Sequence, residues 1–258
     1  MATVCNIPES MWLACPNPNP DAALRLFCFP YAGAGAAIFK SWPERLSPEV
    51  EICAARLPGR GARLKESSFT DLVKLSQAIG EAITPYLDKP FAFFGHSMGA
   101  MISFELTRQL RRERLAQPRH LLVSGRRAPQ IPYTDPPTYN LPEPDFIQEL
   151  KRLDGTPKEV LEHEELMQLV LPVLRSDFQV CQTYVPAPEA ALECSITAMG
   201  GRHDDEVIGG RLEAWKEQTV SSFTLHIMPG DHFYLQKFET LFFQILSQEI
   251  EETLGKIP

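Results

Sequence analysis

Residues 90–110 read PFAFFGHSMGAMISFELTRQL. A short apolar run ends at Gly95, and a helix-period pattern starts directly after Ser97. Between them lies Gly95-His96-Ser97-Met98-Gly99, a G-x-S-x-G. A strand that turns into a helix within so few residues needs a sharp, strained bend. Side chains two positions before and after the serine would collide in such a bend, so glycine at both places is what it requires. The bend sets Ser97 at a helix N-terminus, where backbone N–H groups lack partners and can hold a developing negative charge. A serine in this context is a candidate nucleophile.

The rest of the chain fits the fold that this joint demands. Apolar runs at 24–30 (LRLFCFP), 50–56 (VEICAAR), 90–95, 120–125 (HLLVSG), 194–201 (CSITAMGG) and 223–230 (FTLHIMPG) read as buried strands. Helical spacing is expected at 69–87 and 98–114, and in AIFKSWPERL at 37–46. Residues 14–20 (ACPNPNP) are too rich in Pro and Asn for regular structure. Strands alternating with helices imply a mostly parallel sheet covered on both faces. Residues 126–190 break the alternation with a proline-rich stretch and helix-like pieces. They are too long for a plain loop and are expected to form a helical lid inserted into one domain spanning 1–258.

The formal net charge of −8 argues against a nucleic-acid partner, which needs a basic face. No apolar run reaches the ~20 residues needed to cross a bilayer, and the first residues lack the pattern of a secretory signal. Of the six cysteines (5, 15, 28, 53, 181 and 194) none forms a C-x-x-C. Cys28 and Cys53 fall within strands as small hydrophobes, and a cytoplasmic protein without disulfides is expected.

A serine hydroxyl needs a base, and the expected chain order is serine, acid, histidine. His232 follows the last strand on a loop, the place for such a base. His163 falls in the insertion, His226 is mid-strand, and His203 reads as a turn residue. For the acid, the strand at 194–201 runs into RHDDEV. A Gly-x-x-Asp spacing from Gly201 selects Asp204, with Asp205 as the alternative. The oxyanion donors are expected to be the backbone N–H groups of Met98 and of Ala32 on the loop FPYAGAG, with Gly33 as the alternative. That Gly-rich loop does not complete a dinucleotide or P-loop pattern. No metal-ligand cluster or cofactor motif is apparent. Met98, Met101 and Phe104 read as core.

The blocks LFCFPYAGAGAAIF, ARLPGRGAR, PFAFFGHSMGAMISFEL, LPVLRSDFQ, AWKEQT and MPGDHFYL, in this order, resemble the type II thioesterases. These are discrete α/β-hydrolases that accompany polyketide and nonribosomal peptide synthetases, and the medium-chain thioesterase of animal fatty acid synthase is similar. The resemblance implies hydrolysis of acyl groups from the phosphopantetheine arm of acyl or peptidyl carrier proteins, clearing stalled or misloaded chains. It implies an acyl-enzyme on Ser97, His232 as base and then acid, Asp204 orienting it, and a lid shaping the acyl chamber. A monomer is expected. The chain departs from the family at Asp231, where the pattern before the histidine is usually Gly-Gly. Arg56, Arg60 and Arg63 read as structural ion-pairing residues, with a carrier or phosphate contact as the alternative. Arg175 and Asp177 read as a tether between insertion and core. Rival readings are a carboxylesterase on oxygen esters, a chain-releasing thioesterase of fatty acid synthesis, an acyltransferase, and an idle binding partner of a synthase.

Overall fold

The computed structural model describes residues 10–257; Cys5 and the first nine residues of the segment read for a secretory signal lie outside these. Seven strands form one sheet in the order β1-β3-β2-β4-β5-β6-β7. They are β1 (Leu13–Ala14), β2 (Leu24–Phe29), β3 (Val50–Ala55), β4 (Phe91–His96), β5 (His120–Ser124), β6 (Ser195–Gly201) and β7 (Phe223–Met228). All neighbours pair in parallel except the short β1, which runs antiparallel to β3 at one edge. The helices are α1 (Leu72–Ile83), α2 (Met98–Arg112), α3 (Glu143–Leu153), α4 (Lys158–Leu161), α5 (Glu164–Thr183), α6 (Tyr234–Lys237) and α7 (Glu239–Leu254).

Side chains alternate across a strand, so a sheet covered on both faces needs apolar residues at every position. In β4, Phe91 and Phe93 enter the core shared with α1 and α2, while Ala92 and Phe94 enter the one closed by α7. In β2, Phe27 and Phe29 take the first face, and Leu26 and Cys28 the second. Phe27, Phe91 and Phe93 meet edge-on or tilted at 5.3–5.9 Å, the arrangement ring quadrupoles favour. Cys15, Cys28, Cys53, Cys181 and Cys194 are free thiols.

Three expectations are corrected. Residues 37–46 do not form one helix; two short 3-10 turns, Ala36–Phe39 and Trp42–Glu44, stand there instead. Pro43 lacks the N–H that would donate to the Phe39 carbonyl, and its ring crowds that carbonyl, so a continuous helix cannot pass. Residue 14 is not wholly irregular, because Leu13–Ala14 adds β1 to the sheet edge. The helix at 69–87 is shorter than its pattern. Asp71 caps it by accepting from the Lys74 N–H at 2.9 Å, and at Pro85 it tightens into a 3-10 turn.

Between β5 and β6, α3, α4 and α5 gather a small core of their own from Phe146, Leu150, Met167, Leu171 and Leu174. Asp177 on α5 links that group to the sheet loops. Its carboxylate accepts from the Gly33 N–H at 2.7 Å and from both Arg60 terminal nitrogens at 2.6 and 2.8 Å. Arg63 pairs with Glu66 at 2.6 Å and stacks on Trp12, and Arg56 donates to the Ser10 carbonyl. All three arginines thus have internal partners. Arg175 stays within the insertion, on the Tyr139 carbonyl and the Phe146 ring.

Candidate active site

β4 delivers the chain to Ser97, which takes φ 55° and ψ −112° before α2 begins at Met98. For a non-glycine residue that conformation is strained and persists only where the surroundings enforce it. Here they do. A Cβ on Gly95 would stand 2.0 Å from the Gly99 carbonyl oxygen, and one on Gly99 would stand 2.0 Å from that of Phe29. The Ser97 N–H is anchored on the Ser124 carbonyl at 2.8 Å, tying the bend to β5.

His232 sits on the loop after β7, as its position in the sequence led one to expect. Its Nδ1 lies 2.7 Å from Asp204 Oδ2, and Asp204 Oδ1 accepts from the Glu206 N–H at 2.9 Å. Asp204 is 4% exposed, whereas the neighbouring Asp205 is exposed to solvent. Only Asp204 is bonded to the imidazole. Ser97, Asp204 and His232 line one cavity of about 570 Å³, within the ~300–1,000 Å³ typical of ligand pockets. Ser97 Oγ makes no hydrogen bond to the described residues. Bonds between nucleophile and base are often long without substrate and tighten when it binds.

The N–H groups of Ala32 and Met98 donate to no acceptor among the described residues, while that of Gly33 is bonded to Asp177. Asp231 turns away from the imidazole. It ion-pairs with Lys237 at 2.6 Å and accepts from the Phe233 N–H, and Lys237 holds its carboxyl below the usual range. His203 is an exposed turn residue whose N–H donates to the Gly230 carbonyl. His226 pairs with Glu249 at 2.7 Å, and His163 stands at the N-terminal boundary of α5 without a side-chain capping bond. Met98, Met101 and Phe104 are buried in the core.

Three residues beside the site escaped the sequence reading. His96, fully buried, packs its ring 4.9 Å from that of His232 and bonds Ser124 Oγ at 2.8 Å; that hydroxyl in turn meets Tyr234 OH at 2.6 Å. Burial, and after it the nearby His232, holds His96 well below the usual imidazole range, so it stays neutral. Arg127 grips Glu206 with two bonds, 2.9 and 3.0 Å. Burial pushes the Glu206 carboxyl up, but Arg126 and Arg127 outweigh it and hold it at about 2. Glu206 is therefore ionised two residues from Asp204 and steadies that loop. The signal available was the doublet Arg126-Arg127 directly after a buried strand, where charges are placed only if paired.

Among the described residues no cluster of His, Cys, Asp or Glu is arranged to hold a metal ion, and no helix is long and apolar enough to cross a membrane.

A mostly parallel sheet flanked by helices, with a sharp serine bend and an Asp–His pair on successive loops, defines an α/β-hydrolase. The Thioesterase domain family matches residues 24–251. The gramicidin S biosynthesis protein GrsT of Aneurinibacillus migulanus is 47% identical over 90% of this chain and 91% of its own. Linear gramicidin dehydrogenase LgrE of Brevibacillus parabrevis is 40% identical over 96% of both chains. The redox name of that relative finds no echo in this chain's Gly-rich loop, where Ile38 stands in place of the last small residue of a dinucleotide fingerprint. Among solved structures, the type II thioesterase BorB of the borrelidin biosynthetic cluster superposes with a TM-score of 0.84 at 34% identity, over 94% of this chain and 97% of that one. The chain belongs to the thioesterase family. It is a type II thioesterase, a hydrolase of thioesters.

Proposed function

We propose that this enzyme removes acyl groups from the phosphopantetheine arm of acyl or peptidyl carrier proteins, editing stalled or misloaded chains of a peptide or polyketide synthase. In this reading it works in the cytoplasm as a monomer. Ser97 Oγ attacks the thioester carbonyl and His232 Nε2 takes its proton. The tetrahedral oxyanion is held by the N–H groups of Ala32 and Met98. His232 returns the proton to the departing thiol, leaving an acyl-Ser97 ester. Water, deprotonated by His232, then releases the acid. Asp204 fixes the tautomer and steadies the imidazolium throughout. The segment 126–190 acts as the lid that walls the acyl chamber.

The observation that carries this reading is the meeting of a strained Ser97, its hydroxyl without a partner among the described residues, with an Asp204-bonded His232 in one cavity. The names of relatives tied to gramicidin and borrelidin biosynthesis support the carrier-bound substrate. The test offers the same acyl group on a carrier protein, on coenzyme A and as a simple oxygen ester, with Ser97→Ala alongside. Fast, Ser97-dependent loss from the carrier and much slower loss from the other two is the expected result. Equal or faster ester cleavage would reject the carrier-directed reading in favour of a general esterase. An inert, folded protein would favour the idle partner.

A further inference from the structure

A second cavity, of about 560 Å³, adjoins the one that holds Ser97. The two share five lining residues, Arg126, Arg127, Tyr133, Cys181 and Gln182. These form a common wall. Beyond it the lining is mostly apolar, with Met101 and Phe104 on α2, Ile131 on the loop after β5, and Leu192 before β6, while Arg108, paired with Glu189, adds a charged margin. None of these residues has a part in the hydrolytic chemistry described above.

The wall has fixed and loose members. Arg126 and Arg127 are 5% and 4% exposed and are held by Glu206. Cys181 is buried on α5, and Gln182 is tied to the backbone N–H groups of Thr138 and Tyr139. Tyr133 differs. It lies on the loop between β5 and α3, outside any helix or strand, and is only partly buried. Its ring covers the two guanidiniums at 4.4 and 5.2 Å, and one hydrogen bond, 3.1 Å to Glu206, holds its hydroxyl. Rotation of this one side chain gives up a bond to an ionised carboxylate and two ring–guanidinium contacts, a cost that burial of the added chain methylenes offsets.

We infer that the second cavity receives the distal end of acyl chains too long for the first, and that Tyr133 is the movable part of the wall between them. The inference rests on the reading of Ser97 as the acylated residue, because that places the chain's carbonyl end in the first cavity. A mostly apolar space, parted from it by a wall with one loosely held side chain, then lies along the chain's path. A site for long chains would be built this way if short chains were to be handled with the wall closed.

The test compares kcat/KM for an acetyl and a dodecanoyl thioester of the same carrier protein, each rate normalised to the fraction of enzyme labelled at Ser97 by a fluorophosphonate. Ile131→Trp narrows the second cavity, and the dodecanoyl-to-acetyl ratio should fall by about tenfold or more, the scale of hydrophobic-pocket discrimination. Tyr133→Ala opens the wall, and the ratio should rise. A ratio unmoved by either substitution, or moved the same way by both, overturns the second compartment while leaving the catalytic reading intact. A wild-type enzyme that cleaves neither thioester overturns the catalytic reading, and this inference with it.

Discussion

Asp177→Asn isolates the tether between α5 and the sheet loops. The substitution keeps the shape and leaves an oxygen to accept from the Gly33 N–H. It removes the negative charge that faces Arg60 at 2.6 and 2.8 Å. The side chains are 3% and 11% exposed, so the guanidinium cannot turn to bulk water without moving α5. Breaking a buried pair from one side costs ~3–5 kcal/mol because the other charge is left unpaired. The small opening at Arg60 and its remaining bonds to the Ala34 and Pro58 carbonyls place the expected cost at the lower end, about 3 kcal/mol. For a domain of this size that corresponds to a fall in melting temperature of roughly 6–12 °C. Denaturant unfolding and calorimetry at pH 7 would read it. Adding Arg60→Met to the Asn variant should recover part of the loss, giving a coupling energy of ~2 kcal/mol in the double-mutant cycle. A single-variant loss under ~1 kcal/mol, the behaviour of an exposed ion pair, would refute the reasoning.

Asp204→Asn should lower kcat by about 10⁴-fold, while Asp205→Asn, solvent-exposed and unbonded to His232, should stay close to wild type; equal losses measured on a carrier thioester would reject the assignment of the acid. Gly99→Ala should cost more than ~4 kcal/mol or prevent folding, since backbone rather than a flexible side chain occupies the space of the new Cβ; a normal unfolding midpoint would contradict the account of the bend. Burial pushes His120 down to about 4. A histidine with a lowered folded pKa stabilises fully above its unfolded value of ~6.5 and loses that contribution as pH falls below it. Between pH 7 and 5 the loss from His120 alone should be about 2 kcal/mol, and unfolding curves that coincide at the two pH values would refute it.

Much of this architecture was legible because it depends on local rules. The bend around Ser97 needs two glycines within five residues, and the buried strands need apolar residues on both faces; both leave plain marks in the chain. His232 could be placed because a loop after the final strand has few histidines to offer. What escaped was decided at a distance or by depth. The spacing from Gly201 pointed to Asp204, but Asp205 is adjacent and chemically alike, and the burial that separates them leaves no mark in the chain. Arg60 and Asp177 lie 117 positions apart, with no pattern linking them. His96 was read past because nothing in GHSMG reveals that its ring lies under His232. Residues 37–46 had helical spacing, but the donor missing at Pro43 and the crowding by its ring outweighed it.

The bond from the Gly33 N–H to Asp177 joins the loop beside Ser97 to a helix far along the chain. Its consequence is thermodynamic. Any ligand that binds better when the 31–33 loop is held must, by reciprocity, strengthen the docking of α5 by the same factor. Occupancy at the serine and order in the helical insertion then become two readings of one equilibrium, and hydrogen exchange along α5 would report what sits at Ser97.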